Sequence, residues 1–72
     1  MNPQELFGKK IRQYRTQQGM SQEALALKAG LDRTYIASVE NGKRNVSIQT
    51  IHKFLTALNI PFSDFFADVT EL

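Results

Sequence analysis

Arg33, Thr34, Ala37 and Ser38 fall within one short stretch, DRTYIASVENG, and Lys43, Arg44, Asn45 and Ser47 follow it in GKRNVS. The first set has the chemistry of reading base edges. A guanidinium at Arg33 can donate two hydrogen bonds to O6 and N7 of one guanine. Thr34 offers a hydroxyl and a methyl, Ser38 a second hydroxyl one turn on, and Ala37 an apolar contact with thymine. Arg33 has two other uses, pairing with Asp32 or binding phosphate. The second set is a loop dense in phosphate donors. Ser21 and Gln22 add to it: they open a helix whose free amides and positive dipole end favour an anion, and Gln22 brings a side-chain donor. Tyr35, at the flank, can give its hydroxyl to a phosphate, cover the core with its ring, or do both.

These residues act together only if helices hold them in place, and the punctuation of the chain predicts five. Pro3 starts the first, in which Leu6/Phe7, Ile11 and Tyr14 recur at helical spacing until Gly19 ends it near Gln18. Gly8 within this helix costs about 0.5–1 kcal/mol relative to alanine, which points to close approach of another backbone. Ser21 caps a second helix from Gln22 to about Ala29, with Leu25, Ala26 and Ala29 inward and Gly30 as the left-handed residue past its end. Asp32 caps a third, Arg33 to about Asn41, closed by Gly42. Ser47 caps a fourth, whose apolar set Ile48, Ile51, Phe54, Leu55 and Leu58 follows the amphipathic rule until Asn59 and Pro61 stop it. Ser63 is expected to cap a last short turn carrying Phe65 and Phe66, and residues 67–72 read as a frayed tail.

Between the second and third helices there is room for Gly30, Leu31 and Asp32 alone. That is the tight turn of a helix-turn-helix, with Ala26 small at the crossing and Leu31, Ile36 and Val39 filling the angle. At about 100° per residue the third helix turns Ile36, Val39 and Glu40 inward and Thr34, Ala37, Ser38 and Asn41 outward, with Arg33 and Tyr35 at the seam. An outward face this narrow and polar fits the major groove of duplex DNA. Glu40, an acid beside the apolar side, needs a cation, and Arg15 on the first helix is placed to pair with it.

The totals agree with a single all-helical domain spanning residues 1–72. Residues 1–58 carry nine Lys/Arg against four Asp/Glu, and residues 59–72 carry three acids and no base, so a basic body suits a polyanion. Without cysteine and with one histidine, His52, there is no disulfide and no ordinary zinc site. His52 reads as a surface or interface side chain. No metal, cofactor or small-molecule ligand is expected, nor a catalytic group: there is no phosphate loop, no nucleophile beside a base, and no carboxylate pair in a cleft. The chain has no run of eighteen apolar residues and no signal-like start, from which a cytoplasmic, non-membrane protein is expected. Ile60, Phe62, Phe65 and Phe66 cluster in a segment too short to bury all of them within one chain, which points to a homodimer interface.

The stretches RQYRTQQGMSQEALALKAGL and IASVENGKRNVSIQTIHKFLTALNI resemble, in order and spacing, the lambda repressor/Cro-like helix-turn-helix family. The resemblance covers residues 7 to about 66. More narrowly, GLDRTYIASVENGKRNVS looks like the controller proteins of restriction-modification systems, although Ala37 and Ser38 stand where Ser then Gly recur and Val46 where Pro is frequent. The resemblance implies a compact five-helix DNA-binding fold that works as a homodimer on a pseudo-palindromic operator. It implies DNA contacts at Gln22, Arg33, Thr34 and Ser38, phosphate binding at Lys43, Arg44, Asn45 and Ser47, and a structural ion pair between Arg15 and Glu40. The regulated genes would be those of restriction-modification; a phage-type or stand-alone repressor, or an antitoxin-like protein-interaction module, is the alternative. Glu23 is either a contact for RNA polymerase in an activating mode or a solvated acid at a helix start.

Overall fold

Five helices follow one another in the computed structural model, which describes residues 1–68: α1 (Pro3–Gln17), α2 (Gln22–Ala29), α3 (Arg33–Glu40), α4 (Ile48–Leu58) and α5 (Phe62–Phe65). Among the described residues there is no strand, and no helix is long and apolar enough to cross a membrane. Each of the first four helices starts where a side chain can take up a free amide. Asn2 accepts from the Glu5 amide while Glu5 reaches back to the Asn2 amide, a capping box reinforced by Pro3. Ser21, Asp32 and Ser47 accept from the amides of Ala24, Thr34 and Thr50. Gly30, with φ at 68°, lets the Leu31 amide turn back to the Ala26 carbonyl at 2.9 Å, which makes the tight corner between α2 and α3.

α5 differs from expectation at its start. Ser63 does not cap it; Pro61 occupies that position, and its carbonyl accepts from the amides of Asp64 at 3.1 Å and Phe65 at 3.0 Å. The earlier start turns Phe65 inward, and burial of that ring outweighs a side-chain cap. Of the tail expected to fray, Asp68 is tied to Lys10 on α1, and residues 69–72 lie outside the described residues.

The core is built from Phe7 and Ile11 of α1, Leu25 and Ala26 of α2, Ile36 and Val39 of α3, Phe54, Leu55 and Leu58 of α4, and Phe65 of α5. Phe65 is fully buried, its ring 5.5 Å from that of Phe7, 5.6 Å from Tyr14 and 4.9 Å from Phe66. It therefore belongs to the core of its own chain, a correction to its expected place in a dimer interface: α1 supplies an aromatic pocket that the apolar count of the C-terminal segment cannot reveal. Ile60 and Phe66 are half-buried and Phe62 stays exposed. Ile48, expected to face inward, is 73% exposed, because at the first turn of α4 no other helix reaches over it.

Helix α1 crosses the C-terminal end of α3 at Gly8. A Cβ there would collide with the Val39 carbonyl oxygen and stand 3.0 Å from that of Glu40. Both obstacles are backbone and cannot rotate aside. Gly8→Ala should therefore lower stability by about 1–3 kcal/mol, despite the better helix propensity of alanine; a urea midpoint equal to or above that of the wild type would contradict the close approach.

Candidate nucleic-acid interface

The roll of α3 about its axis decides which side chains it shows, and an ion pair fixes that roll. Arg15 Nε donates to Glu40 Oε2 at 2.6 Å and a terminal guanidinium nitrogen donates to Oε1 at 3.0 Å, while the other donates to the Met20 carbonyl at 2.8 Å. The two side chains are 10% and 3% exposed. The guanidinium is pushed above its ordinary value, chiefly by its hydrogen bond to Glu40, which outweighs desolvation. Gln22 joins this group, donating from Nε2 to Glu40 Oε1 at 3.2 Å. Its amide was expected to reach a phosphate; one of its two N–H bonds is instead committed inward, because the carboxylate has an acceptor site that Arg15 leaves open.

With Glu40 turned in, the opposite face of α3 is open. Arg33, Thr34 and Asn41 are exposed, Ala37 and Ser38 partly so, and none of the expected reading residues is enclosed in the core. Asp32 does not hold Arg33. Its Oδ1 accepts from the Thr34 amide at 3.3 Å and from the Thr34 hydroxyl at 3.1 Å, which commits the hydroxyl proton and leaves the exposed Thr34 oxygen able to accept. Tyr35 is half-buried against the core, and the Arg44 guanidinium lies 5.4 Å from its ring centroid, so this residue covers the core and also supports the neighbouring loop.

That loop stands beside α3. Lys43, Arg44, Asn45 and Ser47 are all exposed. Asn45 accepts from the Gln4 amide of α1, which leaves its own NH2 free to donate outward. The Ser47 hydroxyl accepts from the Thr50 amide at 3.1 Å and donates to the Thr50 hydroxyl at 3.0 Å. Ser21 is exposed at the start of α2 with its oxygen on the Ala24 amide. Arg33, the 43–47 loop and the amino end of α2 thus flank the exposed stripe of α3 with donors and positive charge.

Three contributors are not anticipated by sequence reasoning. Gln4 braces the loop, Lys10 packs over Phe65, and Gln18 donates to the Leu58 carbonyl at 2.8 Å, closing α1 onto the end of α4. A signal existed for one of them: Lys10 lies one turn from both Phe7 and Tyr14, inside the apolar stripe of α1.

The helix-turn-helix family pattern matches residues 11–65. The chain is 44% identical over 66 residues to control protein C.MunI of a Mycoplasma species, covering 90% of this chain and 89% of that one. It is 48% identical over 60 residues to control protein C.BamHI of Bacillus amyloliquefaciens, covering 82% and 74%. Among solved structures, the restriction-modification controller protein C.AhdI of Aeromonas hydrophila superposes with a TM-score of 0.83 at 48% identity, covering 88% of this chain and 96% of that one. C.Esp1396I bound to a 25 base pair operator site gives 0.87 at 33% identity, covering 93% and 88%. The chain belongs to the lambda repressor-like helix-turn-helix family, a family of transcription regulators and not of enzymes. Within that family its matches include control proteins and restriction-modification controller proteins, together with other transcriptional regulators such as PuuR of Escherichia coli and SinR of Bacillus subtilis.

Replacing Arg15 by methionine leaves the Glu40 carboxylate nearly buried without its cation and should cost about 3–5 kcal/mol. Because the arginine value is raised on folding, its contribution is complete below the ordinary arginine range and is lost only as pH rises through the higher folded value. The deficit of Arg15→Met measured by urea unfolding should therefore be the same at pH values of about 6 and 9; a variant as stable as wild type would remove the pair from this role.

Proposed function

We propose that this chain is a controller-type transcriptional regulator that binds operator DNA as a homodimer, each copy laying α3 in a major groove. The observation that carries the reading is the stripe of exposed Arg33 and Thr34 and partly exposed Ser38 beside the donor-rich 43–47 loop. Arg33 and Thr34 face base edges, with Ala37 and Ser38 deeper along the same stripe. Ser21, the remaining N–H of Gln22, Tyr35 and the loop residues Lys43, Arg44, Asn45 and Ser47 hold the phosphates on either side. Base contacts give discrimination, and the phosphates give most of the affinity.

A second copy is supported by an apolar surface on the side formed by α4 and α5. Ile48, Gln49, His52, Lys53 and Phe62 border a shallow groove, with the His52 ring stacked on Phe62 at 6.2 Å. Phe62 is 39% exposed beside Ile48, an arrangement suited to the self-complementary patch of a twofold dimer. Two recognition helices about 34 Å apart would then read successive turns of an imperfect palindrome. C.Esp1396I, the relative crystallised on DNA, also forms a tetramer with its natural 35 base-pair operator, which supports paired sites. Bound in this way, the protein controls restriction-modification genes by excluding RNA polymerase or recruiting it, according to where the operator lies; the exposed Glu23 is available to a recruited polymerase.

Duplexes selected from a random pool provide the test. Their affinity should fall with salt at a slope of log K against log salt of about −5 to −7 for six to eight neutralised phosphates per dimer. Arg33→Ala should select a pool that has lost its preference at one base per half-site, a discrimination of about 1–3 kcal/mol. Binding that ignores salt, or a variant pool identical to that of the wild type, would overturn DNA reading by α3. Ile48→Glu should leave the melting temperature unchanged and weaken self-association by at least about tenfold, since it sets a charge against an apolar partner face; sedimentation equilibrium reads this directly.

A further inference from the structure

Helix α5 spans four residues, too few to hold its own shape in water, yet it opens on Phe62 of the proposed self-association face and is followed at its carboxyl end by Phe66. Its position comes from Phe65, and Phe65 is covered by Lys10 of α1. The Lys10 ammonium lies 5.2 Å from the Phe65 ring centroid and pairs with the carboxylate of Asp68, just past the end of α5. The Lys10 side chain is 10% exposed, a degree of burial a lysine tolerates only with partners, and here an aromatic face and a carboxylate supply them. The Asp68 carboxyl is held below its usual range, first by the hydrogen bond from Lys10, although the group itself faces solvent.

From Phe65 the contacts lead outward. Phe66 meets Phe65 edge to face at 4.9 Å, Phe62 stacks on Phe66 at 6.2 Å, and His52 stacks on Phe62 at 6.2 Å. A shift of the carboxyl end of α5 therefore moves each ring of the outward ladder. We propose that Lys10 is a positioning residue for self-association: by holding Phe65 from above and Asp68 at the end of α5, it sets Phe62 and Phe66 in register for a second copy of this chain. The inference rests on the dimer reading given above. It assigns to a residue far from the DNA-facing side a part in operator affinity, exercised through the dimer.

Sedimentation equilibrium on the full chain at low salt, paired with thermal melts, tests it. Asp68→Lys removes the pair at an exposed position. It should weaken self-association by about threefold to tenfold, because a twofold dimer contains the contact twice, while the melting temperature moves by no more than about 2 °C. Lys10→Met should weaken it similarly, Lys10→Arg should restore it, and the gap between wild type and Asp68→Lys should narrow at high salt. If Asp68→Lys and Lys10→Met associate as wild type does while Ile48→Glu dissociates, the clamp is wrong and the dimer face stands. If wild type is monomeric, or Ile48→Glu associates as wild type does, the dimer reading fails and this inference with it.

Discussion

Helix α1 controls how α3 is presented, through two contacts at the carboxyl end of α3. At Gly8 the backbones approach so closely that the Val39 and Glu40 carbonyls occupy the space of a side chain. At Arg15 the guanidinium takes the Glu40 carboxylate in a two-point grip. The first contact sets the distance between the helices and the second sets the roll of α3. A helix of eight residues with little propensity of its own would fray if isolated, and here its exposed stripe is as well defined as that of a longer element. The presentation of α3 is thus a tertiary property, although the side chains proposed to read bases lie within six consecutive residues, Arg33 to Ser38.

The polar group around Glu40 links the two parts of the proposed interface. Arg15, Gln22 and the Met20 carbonyl share the charge so that no buried polar side-chain atom among the described residues lacks a partner. A fully satisfied network of this kind rigidifies what it joins. It joins the amino end of α2, suited to phosphate, to the carboxyl end of α3, whose other face is suited to bases. The loop after α3 is braced separately, by Gln4 from α1 and by Tyr35 beneath Arg44. The surfaces proposed for bases and for phosphates are therefore held by one framework and cannot move independently.

On the far side the same helix α1 acts through Phe7, Lys10 and Tyr14, which receive Phe65. The C-terminal segment divides its aromatics accordingly, with Phe65 inside the domain, Phe66 half-buried against the core and Phe62 exposed. A small domain gains core area by burying Phe65, at a size where the fraction of surface buried by folding alone is low, and leaves apolar surface for the proposed association.

The starts and ends of the first four helices and the outward face of α3 were legible in the residues, because caps, left-handed terminators and the helical period act over three or four positions. Ser21, Asp32 and Ser47 cap as their types require, and the Arg15–Glu40 pair follows from the need of an acid near an apolar face for a cation. Only the tertiary structure decided which of the clustered aromatics is core, why Ile48 remains outside, that Gln22 turns to Glu40, and that Lys10 closes over Phe65. Each of these depends on what a distant helix places opposite the residue. Local sequence determines the direction a side chain takes from its helix, but its burial and its partner are set by packing between elements that the chain brings together only on folding.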